Sequence, residues 1–214
     1  MLMKRILAIL LVILTFNTVF AQTEEQIDEW LQQGVAAAEQ QNYQEAIRLF
    51  EQAKEGYYNL YHQEDEDYAN ILSYIASYYD DFGDYSKAVE YGTQALEIQH
   101  SVLGERHPAY ATSLGNLALY YSSLGDYSKA VELETQTLEI RRAVLGERHP
   151  AYALSLNNLA SYYSALGDYS KAVEYGTQAV EIHRAVLGER HPAYATSLNN
   201  LAVYYSRLGD YSKA

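Results

Sequence analysis

The chain has 214 residues, about half of them hydrophobic and only three of them proline, which excludes a mostly disordered polypeptide. A formal charge of −13 without any cluster of lysine or arginine argues against a nucleic-acid partner, because phosphate contacts need grouped cations. Cysteine is absent, so disulfides, thiolate metal sites, a cysteine nucleophile and a lipidated cysteine are all ruled out.

Residues 1–21 read as a secretory signal peptide. Lys4 and Arg5 give a short basic start, Ile6 to Leu14 is an unbroken apolar run, and Val19-Phe20-Ala21 resembles a small-residue cleavage site before Gln22. An uncleaved membrane anchor fits less well, since Thr15, Asn17 and Thr18 interrupt a stretch shorter than the about 20 residues a spanning helix needs. The mature chain is therefore expected to be exported to a bacterial periplasm or the cell exterior, with no membrane span after cleavage.

Residues 22–68 form a divergent first unit. Thr23, followed by Glu24 and Gln26, has the look of a capping box opening a helix. Gln41 stands where later units have a turn glycine, and Asn42 beside it is expected to take the left-handed conformation. The acidic run Glu64 to Asp67 precedes another helix, whose positive end Asp65 or Glu66 can favour.

From there one phrase recurs. Its cleanest copy, GERHPAYALSLNNLASYYSALGDYSKA, runs from Gly146 to Ala172, and the same words begin at Gly104 and Gly188, 42 residues away on either side. The turn glycine keeps the same step at Gly83, Gly125, Gly167 and Gly209. A fixed period of this size marks a repeat array. Units span 69–110, 111–152 and 153–194, and an incomplete one occupies 195–214. Its missing second helix is expected to leave Leu198, Leu201, Ala202 and Tyr205 half covered and suggests a piece of a longer array.

Each unit reads as two helices. In the first, Leu156, Leu159, Ala160 and Tyr163 fall at spacings of three and four, one buried face of a 3.6-residue helix. Gly167 closes it and Asp168 caps the second helix. There Ala172, Ala179, Ile182, Val186 and Leu187 form the matching stripe until Gly188. Pro108, Pro150 and Pro192 all sit at a first helical position, where a missing N–H costs nothing. Ala160 and Ala172 allow the close approach of a packed helix pair.

Catalytic signatures are missing: there is no phosphate loop, HExxH, GxSxG elbow or glycine-rich dinucleotide turn. The chain is expected not to be an enzyme and to need no cofactor. His107, His149 and His191 recur once per unit, about 8–10 Å or more apart by helix packing, too far to share a metal ion, and read as linker or capping residues. His100 and His183 read as surface polar residues, and repeated acids such as Glu97, Glu139 and Glu181 as a solvated face. The pairs Tyr78-Tyr79, Tyr120-Tyr121, Tyr162-Tyr163 and Tyr204-Tyr205 place the second tyrosine in the core and the first against a neighbouring unit, its hydroxyl reaching water or a partner.

The segment Leu156 to Ile182 and the LGERHPAYA linkers resemble the tetratricopeptide repeat, in the 42-residue variety of kinesin light chains. In the first unit Trp30, Gly34, Tyr43, Ala46 and Ala53 fall in the same phase. The resemblance implies an all-α fold, a right-handed α-solenoid of antiparallel helix pairs. It also implies a non-catalytic scaffold that binds a peptide or helix of a partner protein in a concave groove lined by the first helices. Groove positions are Asn70, Ser73, Ser77 and Asp80; Thr112, Gly115, Leu119 and Ser122; Leu154, Asn157, Ser161 and Ser164; and Thr196, Asn199, Val203 and Ser206. Asn157 and Asn199 match the asparagine that family members use on a bound backbone, whereas Gly115 departs from it. Those asparagines, with Asn158 and Asn200, can equally bond between helices. Only Arg207 supplies a cation near the groove, so a neutral or basic partner is expected over an acidic one. An alternative reading is the sensor or regulatory arm of a larger enzyme, a caspase-like peptidase or a signalling kinase with its catalytic domain beyond residue 214.

Overall fold

The computed structural model describes residues 23–209; the expected signal peptide, residues 1–21, and the last five residues of the incomplete unit lie outside them. The described residues form nine α-helices and no strand. They fall into two compact units that divide between Glu64 and Asp65.

The first unit is a hairpin of α1 (Glu24–Glu39) and α2 (Tyr43–Tyr61). Thr23 Oγ1 accepts from the Gln26 N–H at 3.2 Å and starts α1. At the turn the left-handed residue is Gln41, with φ 59°, and not Asn42 as expected. Asn42 instead keeps a negative φ and its side chain accepts from the Glu45 N–H, capping α2. That cap offsets the strain of a non-glycine residue at positive φ. Ile27, Leu49, Phe50, Ala46 and Ala53 form the core of this hairpin. Gly34 is required there, since a Cβ at that position would lie 2.6 Å from the Phe50 ring.

The second unit contains α3 (Glu66–Phe82), α4 (Tyr85–Leu103), α5 (Pro108–Leu124), α6 (Tyr127–Leu145), α7 (Pro150–Ala165), α8 (Tyr169–Leu187) and α9 (Pro192–Leu208). Each helix starts on a local signal. Asp65 accepts from the Tyr68 N–H, and Asp84, Asp126 and Asp168 accept from the N–H groups of Lys87, Lys129 and Lys171. Before each proline, Nδ1 of His107, His149 and His191 accepts from Ala109, Ala151 and Ala193 N–H at 3.1–3.2 Å. The recurring histidines are thus helix caps. The turn glycines Gly83, Gly125, Gly167 and Gly209 all take positive φ, a conformation other residues enter only with strain.

Every helix packs on the next one in sequence from α3 to α9, so the hairpins stack in order; α3 also meets α5, and α7 meets α9. The first helices bury Leu72, Ile75 and Ala76, Leu114 and Ala118, and Leu156, Leu159 and Ala160. The second helices bury few large side chains. Their inward row is made of Ala88, Gly92 and Ala95, of Ala130 and Leu133, and of Ala172, Gly176 and Ala179. Small residues here bring the next first helix close: Cβ atoms added at Gly92 and Gly176 would meet the rings of Tyr120 at 3.1 Å and Tyr204 at 3.3 Å.

That contact sets the first tyrosines against the neighbouring unit, as expected, but buries them more deeply than a hydroxyl reaching water would allow. The first members, Tyr78, Tyr120, Tyr162 and Tyr204, are the more deeply buried. The second members stack inside their own hairpin, Tyr79 on Tyr91 and Tyr163 on Tyr175 with ring centroids 5.5 Å apart. Lys87 and Lys171 cover these stacked rings from outside. The stripe expected on the last helix pair also shifts. Val186 is exposed, and His183, expected at the surface, takes the buried place one turn earlier. Leu201 is buried rather than half covered, since it packs over Gly176 on the preceding helix. Leu198 is 45% exposed, as expected.

Candidate functional site

The groove positions named from the sequence fall in register on α3, α5, α7 and α9. One row, Asn70, Thr112, Leu154 and Thr196, is solvent-exposed along its whole length. A second row, Leu119, Ser161 and Val203, is likewise exposed, with Ser77 half-buried. Between them, Ser73 and Asn157 are half-buried, Gly115 is buried and Asn199 is exposed. The first helices therefore present one open face beside the rows that they bury, and the face is mostly small polar groups.

Not all of those groups are available. The Ser73 hydroxyl donates to Ala69 O at 2.9 Å and the Thr112 hydroxyl to Pro108 O at 3.1 Å, each within its own helix. Ser161 lies beside the hydroxyl of Tyr204 and partly offsets the rise that burial gives its pKa. Asn158 donates to Glu134 at 3.4 Å, so for this asparagine the interhelix role holds. Asn157 differs, because its Oδ1 is buried without a hydrogen-bond partner. Arg207 is exposed and its guanidinium lies 5.9 Å from the Tyr169 ring centroid. Charge on the open face is confined to its ends: α5 and α7 contain no Asp, Glu, Lys or Arg, α3 carries Glu66, Asp67, Asp80 and Asp81, and α9 carries Arg207. Burial, with the charge of Asp80 alongside, holds the Asp81 carboxyl above its ordinary value.

The polar residues that the sequence reading missed sit behind this face, where one unit packs on the next. At one inward position of the second helices the successive units carry Gln99, Arg141 and His183, all buried. His183 Nδ1 lies 2.9 Å from Ser197 Oγ, and Arg141 Nη1 donates to Ser155 Oγ at 2.8 Å and to Ala151 O at 3.1 Å. Desolvation lowers the His183 pKa, favouring the neutral ring. Two turns earlier Gly92 and Gly176 flank Glu134, which is 0% exposed. The signal for these residues is departure from the repeat: Glu134 breaks a glycine position, Thr137 an alanine position, and Arg141 a neutral one.

Gly115 belongs to the same set of departures. A Cβ there would touch Arg141 Nη2 and Thr137 Cγ2, each at 3.4 Å, so the missing side chain on α5 accommodates larger ones on α6. No group of His, Asp or Glu able to hold a metal ion occurs among the described residues. No described helix is long and apolar enough to cross a membrane.

A stack of α-hairpins with buried alanines at fixed places and an open face of first helices defines a helical-repeat interaction scaffold. The tetratricopeptide-repeat family model matches residues 27–101, 67–143, 135–185 and 171–214, and the chain belongs to that family. Among solved structures, a putative kinesin light chain of Podospora anserina with nearly identical repeats is 28% identical, covering 87% of this chain and 88% of that one with a TM-score of 0.78. BtubC (BKLC) from P. vanneervenii is 24% identical over 85% of this chain and 72% of its own, with a TM-score of 0.75. A Rap protein complexed with Competence and Sporulation Factor shares the fold at 22% identity and a TM-score of 0.68, over 88% of this chain and 50% of that one. Among curated proteins no sequence matches the chain. Proteins of this family are typically non-catalytic scaffolds, and their fold implies protein or peptide partners.

Proposed function

We propose that the chain is an exported, non-catalytic scaffold that holds an extended peptide or a helix of a partner protein against the open face of α3, α5, α7 and α9. The observation that carries this reading is the exposed row Asn70, Thr112, Leu154 and Thr196, which stays open beside fully buried rows on the same helices. Asparagine suits the task because its amide donates and accepts at once, matching a peptide group. A neighbour of the same fold was solved with Competence and Sporulation Factor bound, so the architecture is compatible with such a complex. The acidic side chains on α3 and the net charge of −13 favour a neutral or basic partner.

The test is a peptide library panned against residues 22–214, followed by calorimetric titration of the selected peptide into the wild type and the Asn157→Ala, Asn199→Ala double variant. Loss of both amides is expected to weaken binding about tenfold or more, since about 1.4 kcal/mol corresponds to each factor of ten. Unchanged affinity would remove the face from the account. Export is tested separately by N-terminal sequencing of the protein recovered outside the cytoplasm, which is expected to begin at Gln22; retention of Met1 would overturn that part.

A further inference from the structure

The packing of α7 on α6 is built differently from the packing of α5 on α4 and of α9 on α8. Where the outer two junctions have Gly92 and Gly176 under a tyrosine ring, this one has the carboxyl group of Glu134, fully buried. Its Oε1 has no hydrogen-bond partner. Its Oε2 receives one long bond from Asn158 Nδ2 at 3.4 Å. Arg141 Nη1 is 3.9 Å away, and that nitrogen is already committed to Ala151 O and Ser155 Oγ. The Tyr162 hydroxyl, on the face of α7 that meets α6, is also buried without a partner.

An ionised carboxylate has about four lone-pair sites to satisfy, whereas the neutral acid brings one donor of its own. Burial without enough donors therefore penalises the charged form far more than the neutral one. We propose that the α6–α7 junction is a proton-operated joint, in which protonated Glu134 holds the third and fourth hairpins together and its ionisation loosens that contact alone. The groups acting on it are few. Arg141 comes from its own helix, Tyr162, Ser155 and Asn158 from α7, and α5 brings no charged side chain.

The direction follows from linkage. Burial pushes the Glu134 carboxyl up to about 7, and Ser155, Arg141 and Asn158 only partly pull it back. A carboxyl raised in the folded state contributes stability that is complete below the ordinary carboxylate value and is lost as pH rises through about 7. The neighbouring junctions serve as internal references. Gln99 and Gly92 put no titratable group at the equivalent places in the α4–α5 contact, and His183, held neutral by burial, makes the α8–α9 contact weaken towards acid instead.

The test uses the whole mature chain. Hydrogen-exchange protection of α6 and α7 amides, corrected for the intrinsic pH dependence of exchange, is expected to fall about tenfold between pH 6 and pH 8, while protection of α4 and α5 stays level. Glu134→Gln is expected to abolish the fall. A carboxyl-carbon NMR titration of wild-type Glu134 gives an independent reading should that variant fold poorly, with a midpoint near neutrality expected. A midpoint in the ordinary carboxylate range, or an equal fall in protection in Glu134→Gln, would overturn the proposal.

Discussion

Tyr162 and Tyr204 occupy equivalent positions on α7 and α9, one unit apart, and both are buried, yet removing their hydroxyls should change stability in opposite directions. The Tyr204 hydroxyl has the Ser161 hydroxyl beside it as a potential hydrogen-bond partner. The residue equivalent to Ser161 in the preceding unit is Leu119, which cannot bond, and the Tyr162 hydroxyl is buried without a partner. Burial and the nearby Glu134 charge push the Tyr162 pKa well above the usual phenol value, as expected for a hydroxyl stripped of water. An unpaired buried polar group costs about 1–3 kcal/mol, whereas a made hydrogen bond contributes about 0.5–1.5 kcal/mol net. Tyr162→Phe should therefore stabilise the protein by about 1 kcal/mol or more, and Tyr204→Phe should destabilise it by about 1 kcal/mol. Urea midpoints at constant m value, read at pH 8, measure both. Leu119→Ser supplies the missing partner and should cancel the gain from Tyr162→Phe. Loss of stability in both single variants, or a gain in both, would refute the reasoning.

Three further outcomes follow from the same packing. Arg141→Gln removes the counter-charge from a buried carboxylate and should cost about 3–5 kcal/mol at pH 8, but clearly less at pH 5, where protonated Glu134 no longer needs it; equal losses at the two pH values would contradict this. Gly34→Ala should lower stability, because displacing the fully buried Phe50 ring costs about 1–3 kcal/mol against a helix-propensity gain of about 1 kcal/mol; a stabilised variant would show that the ring moves freely. Asp168→Ala should cost about 1 kcal/mol through loss of the cap on Lys171 N–H, while Asp168→Asn should stay close to wild type. Thermal unfolding of the three proteins side by side decides it.

Element type and order were legible because each hairpin of the second unit announces itself locally, with aspartate or histidine at its helix starts and glycine at positive φ after its first helices. The apolar face of the first helix was equally legible, since Leu156, Leu159 and Ala160 are large or small in a way that only a buried stripe explains. The inward face of the second helix was legible only in part: Ala172 and Ala179 are buried as expected, but the rest of the row differs. Its row is built from glycine, alanine and polar residues, so reading by apolarity put His183 at the surface and Val186 in the core, the reverse of their places. The tyrosine pairs were legible in part: the first member does pack on the neighbouring unit, but it is buried rather than open to water. The Tyr120 and Tyr204 rings sink opposite a glycine in the preceding unit, and that contact crosses a junction rather than following the period of a single helix. Glu134 was hidden among many acids, although comparing equivalent positions between units singles it out.

Each hairpin of the second unit brings its own start and stop instructions, while the atoms that answer Glu134 and Arg141 belong to the following hairpin. Ser155, Asn158 and Tyr162 have identical counterparts at Ser197, Asn200 and Tyr204. In-frame recombination that adds or deletes one whole copy can therefore lengthen or shorten the row of hairpins without orphaning Glu134 and Arg141. Copy number and the placement of charge inside the stack are free to evolve independently.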